Sequence, residues 1–290
     1  MLRRRRGAIR GIVIGALVLV LLLSAGVARF YTDVLWFEEV GFSAVLWRSI
    51  SVQLVLGLLV GVTMAAIVWV NLVVASRMAP AYRMPRMEVV GREDPLDRYR
   101  DLISPYTRWI RLAIAGVVGL FAGLAASSSW QTVLLWSNRV EFGQLDAEFA
   151  LDIGFYVFEL PFYDLVLSWL WVSLVLSVIL SAGAHYFHGS IRPDSGLAGI
   201  TSGAVAHISV LFGALAVVKA AQYWFGRYQL NFSERGVVHG ASYTDVNAHL
   251  PALQLLAIIS VVSAGLFFAN LRARRFLLPA AAVGIWIVFA

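Results

Sequence analysis

The sequence predicts an all-α integral membrane protein, a single transmembrane helical domain over residues 1–290 arranged as a bundle of about seven helices, with a cytoplasmic amino terminus and an incomplete seventh helix. Three observations carry this reading. Hydrophobic residues make up 60% of the chain and charged residues only 14%, and the mean hydropathy is +0.79, far from the soluble average. Apolar runs of membrane-crossing length recur along the chain, and arginines gather at alternate ends of those runs.

The runs cover 11–28, 50–75, 112–136, 165–184, 200–223, 251–270 and 276–290. The first follows Arg3, Arg4, Arg5, Arg6 and Arg10. That basic start and the small residues Ser24, Ala25, Gly26 and Ala28 also fit a cleavable signal peptide. About 18 apolar residues reach the lower end of spanning length, which favours an uncleaved span. The segment after it, FYTDVLWFEEVGFSAVLWR, mixes acids with aromatic rings and suits the membrane–water boundary. Residues 77–111 carry eight arginines and five acids, and Pro80, Pro85, Pro95 and Pro105 forbid one continuous helix there. This loop fits a solvated linker better than a site for anionic lipid headgroups. The last run stops after 15 residues, short of the roughly 20 needed to cross, so a longer protein with a large extracytoplasmic domain after Ala290 is expected.

Orientation follows from the basic residues. Placing the amino terminus, the 76–111 segment, the 185–199 turn and the 271–275 run inside puts 17 of the 23 Lys and Arg on the cytoplasmic side. The positive-inside rule then sets a multi-pass topology in the plasma membrane. The formal charge of +6 reads as topology, not as nucleic-acid binding, because the arginines flank apolar runs. With no cysteine, the chain has no thiol chemistry and no disulfide framework.

The outer face centres on Glu141 to Asp164, EFGQLDAEFALDIGFYVFELPFYD, which holds six acids among seven phenylalanines and tyrosines. One reading is a wet loop with an aromatic belt. Another is a membrane enzyme acting at the outer interface on a lipid-linked substrate, with Asp152 and Glu159 as acid and base. Seven residues apart on a helix, they would share a face at about 10 Å. Asp164 belongs to the same acidic set. Lys219, the only lysine, sits near the outer end of the fifth run, where it would snorkel or pair with Asp152 or Asp164.

His207 lies inside the fifth run. It is the residue on which a transporter or channel would turn, the alternative being a neutral histidine bonded to a neighbouring helix. His185 and His188 have a spacing that suits metal ligands on one helix face, but no third ligand accompanies them. Ser242, His239 and Asp245 offer the residue types of a hydrolase triad without a nucleophile elbow. Phosphate-cradling and dinucleotide fingerprints are absent. No catalytic residue, metal or cofactor is assigned on this basis. Glycine pairs four apart, Gly11/Gly15, Gly57/Gly61, Gly119/Gly123 and Gly199/Gly203, suit close helix packing. They fit a compact bundle better than a specific dimer and leave a homo-oligomer open.

The phrases FYTDVLWFEEVGFSAVLWR and LDIGFYVFELPFYD resemble an uncharacterised family of large bacterial membrane proteins, and the likeness covers essentially the whole chain. Asp152 to Phe162 is its most specific part. The resemblance implies about seven N-terminal spans followed by a large extracytoplasmic region; it implies no activity and transfers no catalytic residue. The function best matched by the sequence is therefore a non-enzymatic anchor or scaffold for that external region. Its partners would be the lipid bilayer and an envelope or lipid-linked component on the outer face, in envelope assembly or lipid handling.

Overall fold

The computed structural model describes residues 15, 18, 24–79, 104–192, 196, 198–235 and 239–289. Most of the expected first span, most of the 77–111 loop and Gly11 lie outside these residues. Long apolar runs fold as helices because only a helix bonds all its own backbone groups where no water can. Residues 24–39 are helical (α1). The helices that follow are α2 (Ser43–Arg77), α3 (Thr107–Ser127), α4 (Trp130–Ser137), α5 (Leu160–Phe187), α6 (Ser202–Gly226), α7 (Leu250–Ala273) and α8 (Leu277–Phe289). Two isolated β-bridges occur, and no named strand is present among the described residues.

Among the described residues five helices are long and apolar enough to cross a membrane: α2, α3, α5 with the turn before it, α6, and α7 with the turn before it. The expected 276–290 run forms α8, an apolar helix of 13 residues. The expected 112–136 span is corrected. Its helix begins earlier, at Thr107, and stops at Ser127, and residues 130–137 form a separate short helix. The break falls on three consecutive serines. Ser127 and Ser128 donate their hydroxyls back to Leu124 O and Ala125 O, both at 2.7 Å, in competition with the helical ladder.

Residues 1–55 and 56–290 form two compact units, each described by itself. In the first, the Phe30 and Trp47 rings meet edge-on at 6.5 Å. In the second, many large apolar side chains face outward and several small polar ones are buried beside the apolar core. Leu58, Leu59, Leu120, Phe121 and Leu124 are each more than 60% exposed, while Ser173, Ser177, Ser181, Ser209, Ser260 and Ser263 are buried. That is the pattern of helices that turn large apolar side chains to lipid and small residues to one another.

The glycine pairs of α2 and α3 meet each other, a close approach of the kind their spacing suits. A Cβ on Gly61 would lie 2.9 Å from Gly119 O, and one on Gly123 would lie 2.5 Å from Gly57 O. Below this contact Met64, Val68 and Leu72 of α2 and Ala115 of α3 form a buried cluster, against which Leu176, Leu180 and Ala184 of α5 pack. Helix α6 is the most enclosed of these spans and packs against both α5 and α7. Asn270 of α7 donates to Ser209 Oγ of α6 at 2.9 Å, and Trp286 of α8 donates to Ser260 Oγ of α7 at 3.3 Å.

Helices α5 and α7 begin alike. Each follows a π-turn, Phe155–Glu159 and Asp245–His249, and each then reads Leu-Pro, at 160–161 and at 250–251. Proline has no N–H, and its ring crowds the carbonyl four residues back, so the turn before it widens. Accordingly Leu160 N donates to Phe155 O and Leu250 N to Asp245 O, five residues back in each case.

Candidate functional site

Polar chemistry concentrates in two places, the loops before α5 and α7 and a buried chain near the other ends of α2, α5 and α6. In the first, residues 140–154 double back on themselves. Asp146 N donates to Leu151 O at 2.8 Å and Ile153 N to Gln144 O at 2.9 Å. Gly143 and Ala150 take positive φ, at 71° and 54°, to make the reversals. A Cβ on Gly154 would collide with the Val140 carbonyl oxygen, so glycine is required there.

Two aspartates hold this fold. Asp146 accepts from Glu148 N, Phe149 N and Leu151 N at 2.8–2.9 Å, from the Tyr156 hydroxyl at 2.9 Å and from Asn231 Nδ2 at 3.2 Å. Partial burial pushes its pKa upward, but these donors outweigh burial and hold it below the ordinary value. Asp152 accepts from Phe142 N, Gly143 N and Gly154 N at 2.7–3.0 Å. The Phe142 N–H is the largest cause that keeps its carboxyl below the usual range.

Asp152 and Glu159 do line one cleft, of about 330 Å³, together with Ser137, Arg139, Glu141 and Phe155. Their expected shared helix face is corrected. Asp152 precedes the helix, and the π-turn between them shifts the helical phase. Glu159 faces Arg139 at 3.7 Å and accepts from the Tyr163 hydroxyl at 3.0 Å. Trp136 and Phe162 stack nearby at 4.1 Å, with Arg139 over the Trp136 ring. Both oxygens of Asp152 are already occupied by backbone donors.

The other acids and Lys219 go elsewhere. Asp164 accepts from Gln229 Nε2 at 2.6 Å. Lys219 Nζ lies over Tyr223 at 4.7 Å and over Trp171 at 5.4 Å, so the cation sits on aromatic faces and not on Asp152 or Asp164. The segment after α6 closes over the first loop: Tyr228 meets the Phe149 and Phe155 rings, and Phe232 meets Tyr156.

Ser242 and Asp245 form a reciprocal cap. Asp245 N donates to Ser242 Oγ at 3.2 Å, and Ser242 N donates to Asp245 Oδ2 at 3.1 Å. The triad reading is corrected accordingly. The histidine on Asp245 is His249, at 3.0 Å, and Asp245 bridges serine and histidine where a triad needs histidine in the middle.

The second place is the buried chain. His207 Nε2 lies 3.1 Å from Asn71 Oδ1, and His207 Nδ1 lies 3.1 Å from His185 Nε2. The amide sets the direction. Asn71 Nδ2 donates to Ile67 O at 2.8 Å, so its oxygen accepts from His207 Nε2–H. Neutral His207 then accepts at Nδ1 from His185 Nε2–H, which leaves His185 Nδ1 as a lone-pair acceptor. That atom is buried and has no partner, as are Ser181 Oγ and Ser190 Oγ. His188 does not join: its Nδ1 bonds Ala184 O at 2.6 Å. Among the described residues no group of three or more His, Asp or Glu is placed to hold a metal ion.

Sequence reasoning singled out His207 but not Asn71, its hydrogen-bond partner, whose signal is one amide in an apolar run. It also passed over Asp146 and Asn231, and the recurring Leu-Pro after 159 and 249.

No solved structure matches this chain. A UPF0182 protein of Rhodococcus opacus is 41% identical over 283 residues, covering 96% of this chain and 28% of its own length. A UPF0182 protein of Streptomyces coelicolor is 39% identical over 288 residues, covering 96% and 28%. One from Frankia casuarinae is 40% identical over 276 residues, covering 95% and 27%. The chain thus spans between a quarter and a third of the length of these relatives. The family model for the uncharacterised protein family UPF0182 matches residues 10–290, and with these relatives it makes the chain a member of that family.

Proposed function

We propose that this chain is the multi-pass plasma-membrane module of a larger protein, with about seven spans and a cytoplasmic amino terminus, and that it anchors and orients an extracytoplasmic part in envelope assembly or lipid handling. The observation that supports this best is how the outer acids are used. Asp146 and Asp152 each accept several backbone N–H groups of their own loop, and Asp245 accepts the N–H and the hydroxyl of Ser242. A surface folded this firmly is suited to presenting a neighbouring domain in one orientation; a solvated tether would not be.

Two experiments on the full-length protein test it. A single cysteine replacing Tyr243, which is 83% exposed, should react with membrane-impermeant maleimide added to intact cells. Labelling only after the cells are opened would overturn the orientation. Asp146→Ala should accelerate limited proteolysis of the extracytoplasmic part with the spans still inserted; unchanged cleavage would remove the orienting role.

A further inference from the structure

Along α5, every fourth residue from Trp169 through Ser173, Ser177 and Ser181 to His185 carries a hydrogen-bonding side chain. Ser173, Ser177, Ser181 and His185 are at most 2% exposed. By the helical rise this row runs about 24 Å, most of a hydrocarbon core of about 30 Å. The neighbouring row, Leu176, Leu180 and Ala184, packs on the α2 cluster, so the polar row is not needed for that contact. Alanine would pack as closely and would bury no hydroxyl.

The row is also incompletely satisfied. Ser173 and Ser177 donate back to Trp169 O and Ser173 O at 2.7 and 2.8 Å, and each keeps lone pairs to accept with. Trp169 Nε1, Ser181 Oγ, His185 Nδ1 and Ser190 Oγ have no partner at all. Four unpartnered polar atoms on or just beyond one helix in a membrane-crossing bundle are costly unless mobile hydrogen-bonding species use them.

We propose that this seam carries protons, with His185 as the group that accepts them and His207 as the ring that shares the charge. A proton arriving from the Ser181 side binds the free lone pair of His185 Nδ1. The hydrogen on His185 Nε2 shifts to His207 Nδ1, leaving His185 neutral and His207 an imidazolium whose Nε2–H stays on Asn71. The reverse shift returns the charge to His185, and its Nδ1 proton leaves toward Ser190, beyond the end of α5. One proton enters, one leaves, and both rings return to their starting tautomers. The charged and titratable groups on the surrounding elements are Tyr186 in α5, His188 and Arg192 after it, Arg77 at the end of α2, Arg108 and Arg111 in α3, and Arg272, Arg274 and Arg275 around the end of α7. No carboxylate stands on the corresponding halves of α2, α5, α6 or α7 among the described residues. The charge is therefore not stored, and the pair serves transit.

The inference goes beyond anchoring and stands or falls separately from it. The full-length protein, reconstituted in liposomes holding a pH-sensitive dye, is driven by a potassium diffusion potential. Proton uptake should exceed that of protein-free vesicles several-fold, drop to background in His185→Gln, and fall several-fold in His207→Gln and Ser181→Ala. Uptake by the native protein no faster than empty vesicles overturns the proposal. So does undiminished uptake in His185→Gln. If the histidine variants do not fold, Ser181→Ala decides, since it removes only a hydroxyl without a partner: uptake equal to native is incompatible with the seam as the path.

Discussion

The loops before α5 and α7 and the buried ends of α2, α5 and α6 place polar groups beside hydrocarbon in opposite ways. The loops use full charges and satisfy them: Asp146 alone gathers five donors. The buried chain uses neutral groups, two imidazoles and an amide in single file, and leaves its last acceptor open. The difference follows from the surroundings. Near water, a carboxylate is inexpensive to solvate and gains from several N–H groups. Inside the bilayer a full charge is costly, so only groups that can stay neutral are tolerated.

The contrast can be broken by mutation, beginning with the strongest expected effect. Asp146→Ala strands three backbone donors, a tyrosine hydroxyl and an asparagine amide, and should lower the unfolding free energy by about 2–3 kcal/mol in detergent thermal or denaturant melts. Acid should weaken the same loops by degrees. Asp146 and Asp152 are held below the ordinary value of 3.8, so the stability they lend is complete above that value and drains away as the pH falls below it toward their folded-state pKa. Protection of residues 140–154, measured as exchange relative to the intrinsic rate at each pH, should therefore be flat from neutrality down to the ordinary carboxyl value and fall only beneath it.

The membrane side should respond more weakly. Ser209→Ala removes the acceptor of Asn270 Nδ2 and should cost about 0.5–1 kcal/mol, in line with single hydrogen bonds between membrane helices. Ser181→Ala should change stability by less than about 0.5 kcal/mol, because its hydroxyl has no partner to lose. If Ser181→Ala proved as damaging as Asp146→Ala, the contrast between saturated loops and an open seam would be lost.

How much of this was legible in the sequence depends on the range of the interaction. Spans α2, α5, α6 and α7 announce themselves through unbroken apolar runs, and the facing glycines of α2 and α3 through their spacing. The stop at Ser127 was hidden because serine is only mildly polar and breaks a helix through local hydroxyl bonds. The work of Asp146 and Asp152 was hidden for a different reason. Their partners are backbone N–H groups, which every non-proline residue carries, so no side-chain pattern marks them. His207 stood out alone, whereas its pairing with His185 and Asn71 exists only once three helices have packed.

The widened turns at the heads of α5 and α7 give those helices a soft collar above a stiff shaft. A regular ladder resists bending at every rung, and a five-back bond next to a proline leaves one rung missing on that side. A sideways load on the loops before α5 and α7 is thus taken up at those two turns. The serine row of α5 and His185 at its foot lie beyond the first of these turns and keep an unbroken ladder, so the firmly folded loop tilts as one piece without disturbing them.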